Sequence, residues 1–260
     1  MSLLITPELI EILRVTAINA GEKILEIYNS DFEVITKDDD SPVTLADQAA
    51  EAIITPVLQG IWPDVPVVAE EAAAAGDIPD VGDGPFWLVD PLDGTKQFVG
   101  RKDEFTVNIA LIEDRIPLLG VVYVPVFGDM YIGSPFGATL SQNGGPVEPI
   151  SVRDCPADGP VAVASRSHRT PETDAFLEKI GATDTVSTGS SIKFCIVARG
   201  QADVYPRFGP TMEWDTAAGH AVLDAAGGQL TDEHGEPFLY VKKDFRNGNF
   251  VAWGGNPQGK

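Results

Sequence analysis

Only two cysteines, Cys155 and Cys195, occur in the 260 residues. They lie far apart and in no metal-like spacing, so a cysteine-built metal site is excluded and a disulfide framework has no basis. Both are expected to be reduced. Cys195, inside an apolar helical run, is expected in the core. Basic residues are also scarce. Lysine and arginine number 18 against 39 aspartates and glutamates, a formal net charge of −21. A chain this acidic repels polyanions, which argues against a nucleic-acid polymer or an anionic membrane as its main partner. No apolar run is long enough to span a membrane and no secretory leader is evident. A cytoplasmic enzyme is the expectation, with loose peripheral association at the inner membrane left open. Internal repeats and low-complexity segments are missing too.

What is present suffices for a packed core, since 43% of the residues are hydrophobic. The length sits at the upper limit for a single core. The polar stretch from Arg153 to Gly159 is the natural boundary. It divides an N-terminal α+β lobe, 1–152, from a C-terminal α/β lobe, 153–260, the two packed tightly enough to count as one domain. Helical spacing predicts helices over 7–28, 45–60, 171–181, 190–199 and 214–226. Apolar runs predict strands over 32–35, 65–69, 86–89, 161–164, 183–187 and 202–205. Three more, 105–113, 118–125 and 129–134, predict an antiparallel meander. Residues 72–84, rich in Ala, Gly, Pro and Asp, read as a surface loop.

The chain is organised around Trp87-Leu88-Val89-Asp90-Pro91-Leu92-Asp93-Gly94-Thr95. A buried strand runs into two carboxylates on one bend, stiffened by Pro91 and opened by Gly94. In open α/β sheets, ligands bind at such strand ends. Two carboxylates on one bend suit hard divalent cations, which take oxygen ligands. The carbonyl of Leu92 is a third donor, and the amides of Gly94 and Thr95 are placed for phosphate. Bound cations would reverse the local field for an anionic substrate, so the acidic balance is compatible with a metal-dependent phosphatase. A lone Asp-Pro-x-Asp-Gly is usually an ordinary turn; the strand before it and the Thr after it set this one apart.

More carboxylates are needed for two metals. Glu70 and Glu71 follow a Val-rich strand, and side chains adjacent on a strand face opposite ways, so at most one would point at the metals. Asp215 opens a helix with a small-residue face, Ala217, Ala218 and Ala221, and reads as both N-cap and ligand. Asp47 lies early in the second helix; a carboxylate beside Thr95 would polarise its hydroxyl, although spacing alone does not pair the two. Polar clusters with phosphate-binding character follow in the second half, at Ser165-Arg166-Ser167-His168-Arg169, at Gly189-Ser190-Ser191-Ile192-Lys193, and around Arg207. Each basic residue taken singly would be an ordinary surface charge.

Taken together, these residues resemble the inositol monophosphatase superfamily of Mg²⁺-dependent, lithium-sensitive phosphatases. The resemblance rests on Glu70-Glu71, on Asp90-Pro91-Leu92-Asp93-Gly94-Thr95, and on Trp214-Asp215-Thr216-Ala217-Ala218-Gly219-His220, in order and over nearly the whole chain. Lys37 with Ser41-Pro42-Val43-Thr44, the stretch Glu104 to Leu111, Ser165 to His168, Gly189 to Cys195, and Tyr205 to Thr211 are similar to its bacterial 3′(2′),5′-bisphosphate nucleotidase branch. The resemblance implies a layered α/β/α/β/α sandwich of the inositol monophosphatase/fructose-1,6-bisphosphatase type. It implies that Glu70, Asp90, the Leu92 carbonyl, Asp93 and Asp215 hold two or three Mg²⁺ ions. Asp47 and Thr95 would activate the attacking water, with Glu70 also counted as catalytic, and the Gly94 and Thr95 amides would hold the scissile phosphate. Ser167, His168, Ser190, Lys193 and Arg207 would hold the ribose and second phosphate. The implied substrate is adenosine 3′,5′-bisphosphate, a by-product of sulfur metabolism, and the enzyme a monomer or homodimer. One departure is Gly100, followed by Arg101, where the family commonly has a polar or basic residue. The runner-up is a sibling phosphatase of inositol or sugar phosphates, and a non-catalytic cation-binding protein is the reading from another class.

Overall fold

The first helix, α1 (Pro7–Tyr28), starts where Thr6 places its hydroxyl to accept from the Leu9 amide at 3.2 Å, with Pro7 in the first turn. Its Leu9, Leu13, Ala17, Ala20 and Ile24 face inward. The second helix, α2 (Leu45–Ile61), buries Ala46, Ala50, Ile54 and Leu58 beside them. The computed structural model describes residues 3–30, 34–36, 42–166 and 169–255.

Both helices cover one face of a seven-stranded sheet ordered β3-β4-β5-β6-β7-β8-β9. Its strands are β3 (Val67–Ala69), β4 (Phe86–Asp93), β5 (Thr106–Glu113), β6 (Ile116–Val124), β7 (Asp129–Ser134), β8 (Gly137–Ser141) and β9 (Val147–Ile150). β3 and β4 run parallel, and every later pair is antiparallel. The expected meander is β5 to β7. Strand alternation sends Val107, Ile109 and Leu111 to α1 and α2, while Ala110 and Ile112 join a second cluster on the opposite face.

That second cluster encloses α6 (Ile192–Ala198) and α7 (Glu213–Ala225). Beyond them lies a five-stranded sheet, β11-β10-β12-β14-β13, made of β10 (Val161–Ser165), β11 (Asp184–Thr188), β12 (Val204–Arg207), β13 (Gln229–Asp232) and β14 (Phe250–Trp253). On its outer face α5 (Pro171–Lys179) contributes Leu177 to a third cluster with Ala162, Val204 and Val251. The molecule is thus the layered α/β/α/β/α sandwich. The middle layer is tight. A side chain at Gly120 or Gly133 would strike the α7 backbone, at 2.4 Å from the Ala218 carbonyl or 2.2 Å from that of Ala221. Cys195 is buried and both cysteines are free.

Several expectations need correction. β3 delivers Glu70 and Glu71 as expected, but the pair does not alternate as strand neighbours: it opens a short helix, α3 (Glu70–Ala74), which takes the first residues of the expected loop. Its cap comes from afar, as Glu51 of α2 accepts from the amides of Glu71 at 2.8 Å and Ala72 at 3.0 Å. A further short helix, α4 (Thr95–Val99), follows Gly94 directly. α6 begins at Ile192 rather than Ser190, and β12 runs two residues later than expected. β8, β9, β13 and β14 were not anticipated. Of the expected strand 32–35, Val34 and Ile35 belong to β1 (Val34–Thr36), which pairs with β2 (Pro42–Thr44). Lys37 and Ser41 lie outside the described residues.

Candidate active site

The ladder between β4 and β5 changes register at the key bend. Asp90 pairs with Asn108 and Asp93 with Thr106, so β4 carries one residue more than its partner. Pro91, which has no amide hydrogen, lies within this bulge, and bulges re-aim the side chains around them. Asp90 is buried, and its carboxylate accepts from the Leu92 amide at 3.0 Å. Gly94 then takes a left-handed φ of 94°, where a Cβ would lie 2.9 Å from the Glu104 carbonyl. That turn starts α4 and leaves the Thr95 hydroxyl donating to the Leu92 carbonyl at 3.3 Å.

A cleft of about 260 Å³ opens over this bend. Glu70, Asp90, Leu92, Asp93, Gly94 and Thr95 line it together with Ser190, Lys193, Arg207 and Asp215. Residues distant in sequence therefore meet at one place. Asp47 does not line the cleft. It is buried in the first turn of α2, near enough for its charge to act on Asp90. Ser167 and His168 lie outside the described residues. Asp215 is not the N-cap of α7. Met212 holds that place, and the Asp215 carboxylate reaches back from the third position to the Met212 amide at 2.9 Å. Arg101 does not line the cleft; its guanidinium donates to the Ser30 carbonyl at 2.9 Å and stacks over Tyr28.

The electrostatics divide the cleft. Burial pushes the Asp90 carboxyl well above the usual range, and the charges of Glu70, Asp93, Asp215 and Asp47 push it further. Asp215 is raised by burial, then by Asp93 and Glu70. Asp93 is raised by burial, opposed by Lys193, the Ser191 amide and Arg207. Among the described residues no three acidic, imidazole or thiol groups stand in a ready-made metal-holding arrangement. The donor chemistry still fits a hard divalent cation: oxygen donors, desolvated and mutually repelling, are what such an ion binds and neutralises.

Two cations share the cleft with these carboxylates. Lys193 is buried, which pulls its pKa down to about 8 against the attraction of Asp93. Its ammonium donates to the Ser190 carbonyl and lies 5.3 Å from the Tyr205 ring centre. Arg207, also buried, donates through one Nη to the Pro210 carbonyl at 3.0 Å, while its Nε has no hydrogen-bond partner among the described residues. The sequence reading missed the polar contacts behind these groups. Thr106 and Asn108 of β5 hold the Ser191 hydroxyl at 2.8 and 2.7 Å, and Asn247 donates to Met212 O at 2.7 Å ahead of α7. The alternation of polar Glu104, Thr106 and Asn108 with apolar neighbours was the available signal for the first two.

An inositol monophosphatase family model matches residues 6–258. The 3′(2′),5′-bisphosphate nucleotidase CysQ of Escherichia coli (strain K12) is 47% identical over 235 residues, covering 89% of this chain and 94% of that protein. The protein of the same name from Buchnera aphidicola is 42% identical over 239 residues, 90% of this chain and 89% of that one. The crystal structure of CysQ from Bacteroides thetaiotaomicron, a bacterial member of the inositol monophosphatase family, superposes with a TM-score of 0.79 at 41% identity, covering 95% of this chain and 97% of that one. The match begins at the cap of α1 and runs beyond β14, so it takes in both sheets and every side of the cleft, and the chain belongs to the inositol monophosphatase family.

Proposed function

We propose that the chain is a Mg²⁺-dependent 3′(2′),5′-bisphosphate nucleotidase that hydrolyses adenosine 3′,5′-bisphosphate to AMP and phosphate, a clearance step in sulfur metabolism. The observation that carries this reading is the presence of an acidic cluster and two buried cations in one cleft. Burying a cation without a partner is costly. With a monophosphate bound, Lys193 and Arg207 would have only the carboxylates of the site as counter-charges, Asp93 foremost; a second phosphate gives both cations an anion of the substrate. The relatives named 3′(2′),5′-bisphosphate nucleotidase support the same substrate class.

In this reading Glu70, Asp90, the Leu92 carbonyl, Asp93 and Asp215 hold two or three Mg²⁺ ions. When bound, these ions supply charge neutralisation and Lewis acidity at the transferred phosphoryl group. Gly94 and Thr95 present backbone amides to the scissile phosphate. Asp47 acts through Thr95: the Thr95 hydroxyl takes the proton of the attacking water as it passes its own to the Asp47 carboxylate, and Glu70, which lines the cleft, is counted with them as catalytic. Ser190, Lys193 and Arg207, together with Ser167 and His168, hold the ribose and the second phosphate. Residues 1–152 and 153–260 act as two tightly packed lobes that each supply part of the site.

The test is phosphate release from adenosine 3′,5′-bisphosphate and inositol 1-phosphate, measured side by side with Mg²⁺ and with added Li⁺. Lithium-sensitive preference for the nucleotide is the expected result. Preference for the inositol ester would retain the metal assignment and overturn the assignment of Lys193 and Arg207.

A further inference from the structure

The turn that carries Ser190 is held in an unfavourable shape by the segment 104–108. Ser190 has a left-handed φ of 47°, which a residue with a side chain adopts only when its surroundings fix it. Three alternate residues of one extended segment do the fixing. Glu104 Oε2 accepts from the Gly189 amide at 2.9 Å, and Thr106 and Asn108 grip the Ser191 hydroxyl. Between them Phe105 and Val107 point the other way, into the core against α1 and α2. The strand period of two therefore turns one segment into a rigid rail with a polar edge.

Glu104 also binds Arg166. The guanidinium donates to Oε1 at 2.7 Å and to Oε2 at 3.1 Å, and also to the Ser187 carbonyl at 2.8 Å. The Glu104 side chain is 18% exposed and that of Arg166 43%. One carboxylate thus ties the turn after β11 to the end of β10 and to β5. Gly189 permits this closeness, since a Cβ there would lie 2.7 Å from Gln97 and 3.0 Å from the Glu104 carbonyl.

We propose that Glu104 is a positioning residue that, with Thr106, sets the 189–191 turn so that Ser190 and Lys193 meet the second phosphate of the substrate. This rests on the bisphosphate reading above. Charge and position make opposite demands on Glu104, which gives the test its sign. Removing a negative charge near a bound phosphate would by itself tighten binding. Loosening the turn would weaken it.

The experiment compares wild type, Glu104→Gln and Thr106→Val on adenosine 3′,5′-bisphosphate and on 3′-AMP, which lacks the second phosphate. Hydrogen–deuterium exchange of the 189–191 amides is followed in the same proteins. Glu104→Gln should raise KM for the bisphosphate about tenfold, the scale of one lost charge-assisted hydrogen bond, with kcat and the 3′-AMP constants moving less than about twofold. Thr106→Val, which changes no charge, should move the same way. Exchange at 189–191 should quicken in both variants and stay unchanged in β6. A lowered KM for the bisphosphate in Glu104→Gln, an equal loss on both substrates, or unaltered exchange at 189–191 would overturn the proposal. If wild type treats the two nucleotides alike, the substrate reading fails on its own, and the exchange data alone decide whether Glu104 holds the turn.

Discussion

Arg207 separates the readings most sharply at the scale of single residues. Among the described residues its Nε is buried and unpartnered, and one of its Nη donates to the Pro210 carbonyl. Changing Arg207→Met keeps the apolar stem and removes the fork. The expected outcome is a rise in KM for adenosine 3′,5′-bisphosphate of roughly 10- to 100-fold, the range for a hydrogen bond to a charged group, against a change of less than about twofold for a monophosphate. Steady-state kinetics on both substrates checks it, and equal losses would refute the second-phosphate role. Much at this scale is legible in the sequence, because Asp90, Pro91, Asp93 and Gly94 are contiguous and their chemistry is local. Lys193 and Arg207 are legible as cations at element ends. Their burial is not, since it depends on a sheet and a helix that close over them from elsewhere.

Among the elements, legibility follows the range of the forces. α1 is fixed by its own cap and its own apolar face, and it appears where expected. α3 is invisible locally because its first amides are satisfied by Glu51, on another helix. Glu51→Ala should therefore displace Glu70 and weaken Mg²⁺ binding about tenfold, in line with the loss of a group that orients a ligand; isothermal titration with Mg²⁺ measures it, and unchanged affinity would show that α3 holds itself. α7 makes the complementary case. Its small-residue face was legible, and the partners that demand it are Gly120 and Gly133 on β6 and β7. At Gly133 an added methyl would meet backbone on α7, which cannot rotate aside. Gly133→Ala should cost about 3 kcal/mol, the upper range for overpacking, read as a lowered urea midpoint. Gly137→Ala, with open space around its Cβ but a φ of 106°, separates backbone strain from collision. If the two variants lose equal stability, close packing of α7 is not the cause.

For the whole molecule, the acidic cleft couples stability to pH and to metal. Asp90 and Asp215 titrate well above the ordinary carboxylate range because they are buried beside each other's neighbours. The sign follows from linkage. A carboxyl whose folded pKa is raised holds its proton in the native state after the unfolded chain has lost it. Its favourable contribution is complete below the unfolded value, near 3.8 for these groups, and is lost as pH rises through the folded value. The metal-free protein therefore loses stability as pH rises above about 3.8 toward the folded values, where like charges are forced together in the cleft. If a divalent cation binds the ionised form, as proposed, its stabilising effect grows over the same interval. Thermal unfolding with chelator and with Mg²⁺ in excess, at pH 5 and at pH 8, measures both halves. The expected result is a larger Mg²⁺-induced rise in Tm at pH 8. In Asp90→Asn, which cannot ionise, the metal-free protein should gain stability at pH 8 and the Mg²⁺-induced rise should shrink. A rise in Tm that is the same at both pH values, or unaltered by Asp90→Asn, would mean that the cluster around the bulge of β4 is not where the metal binds.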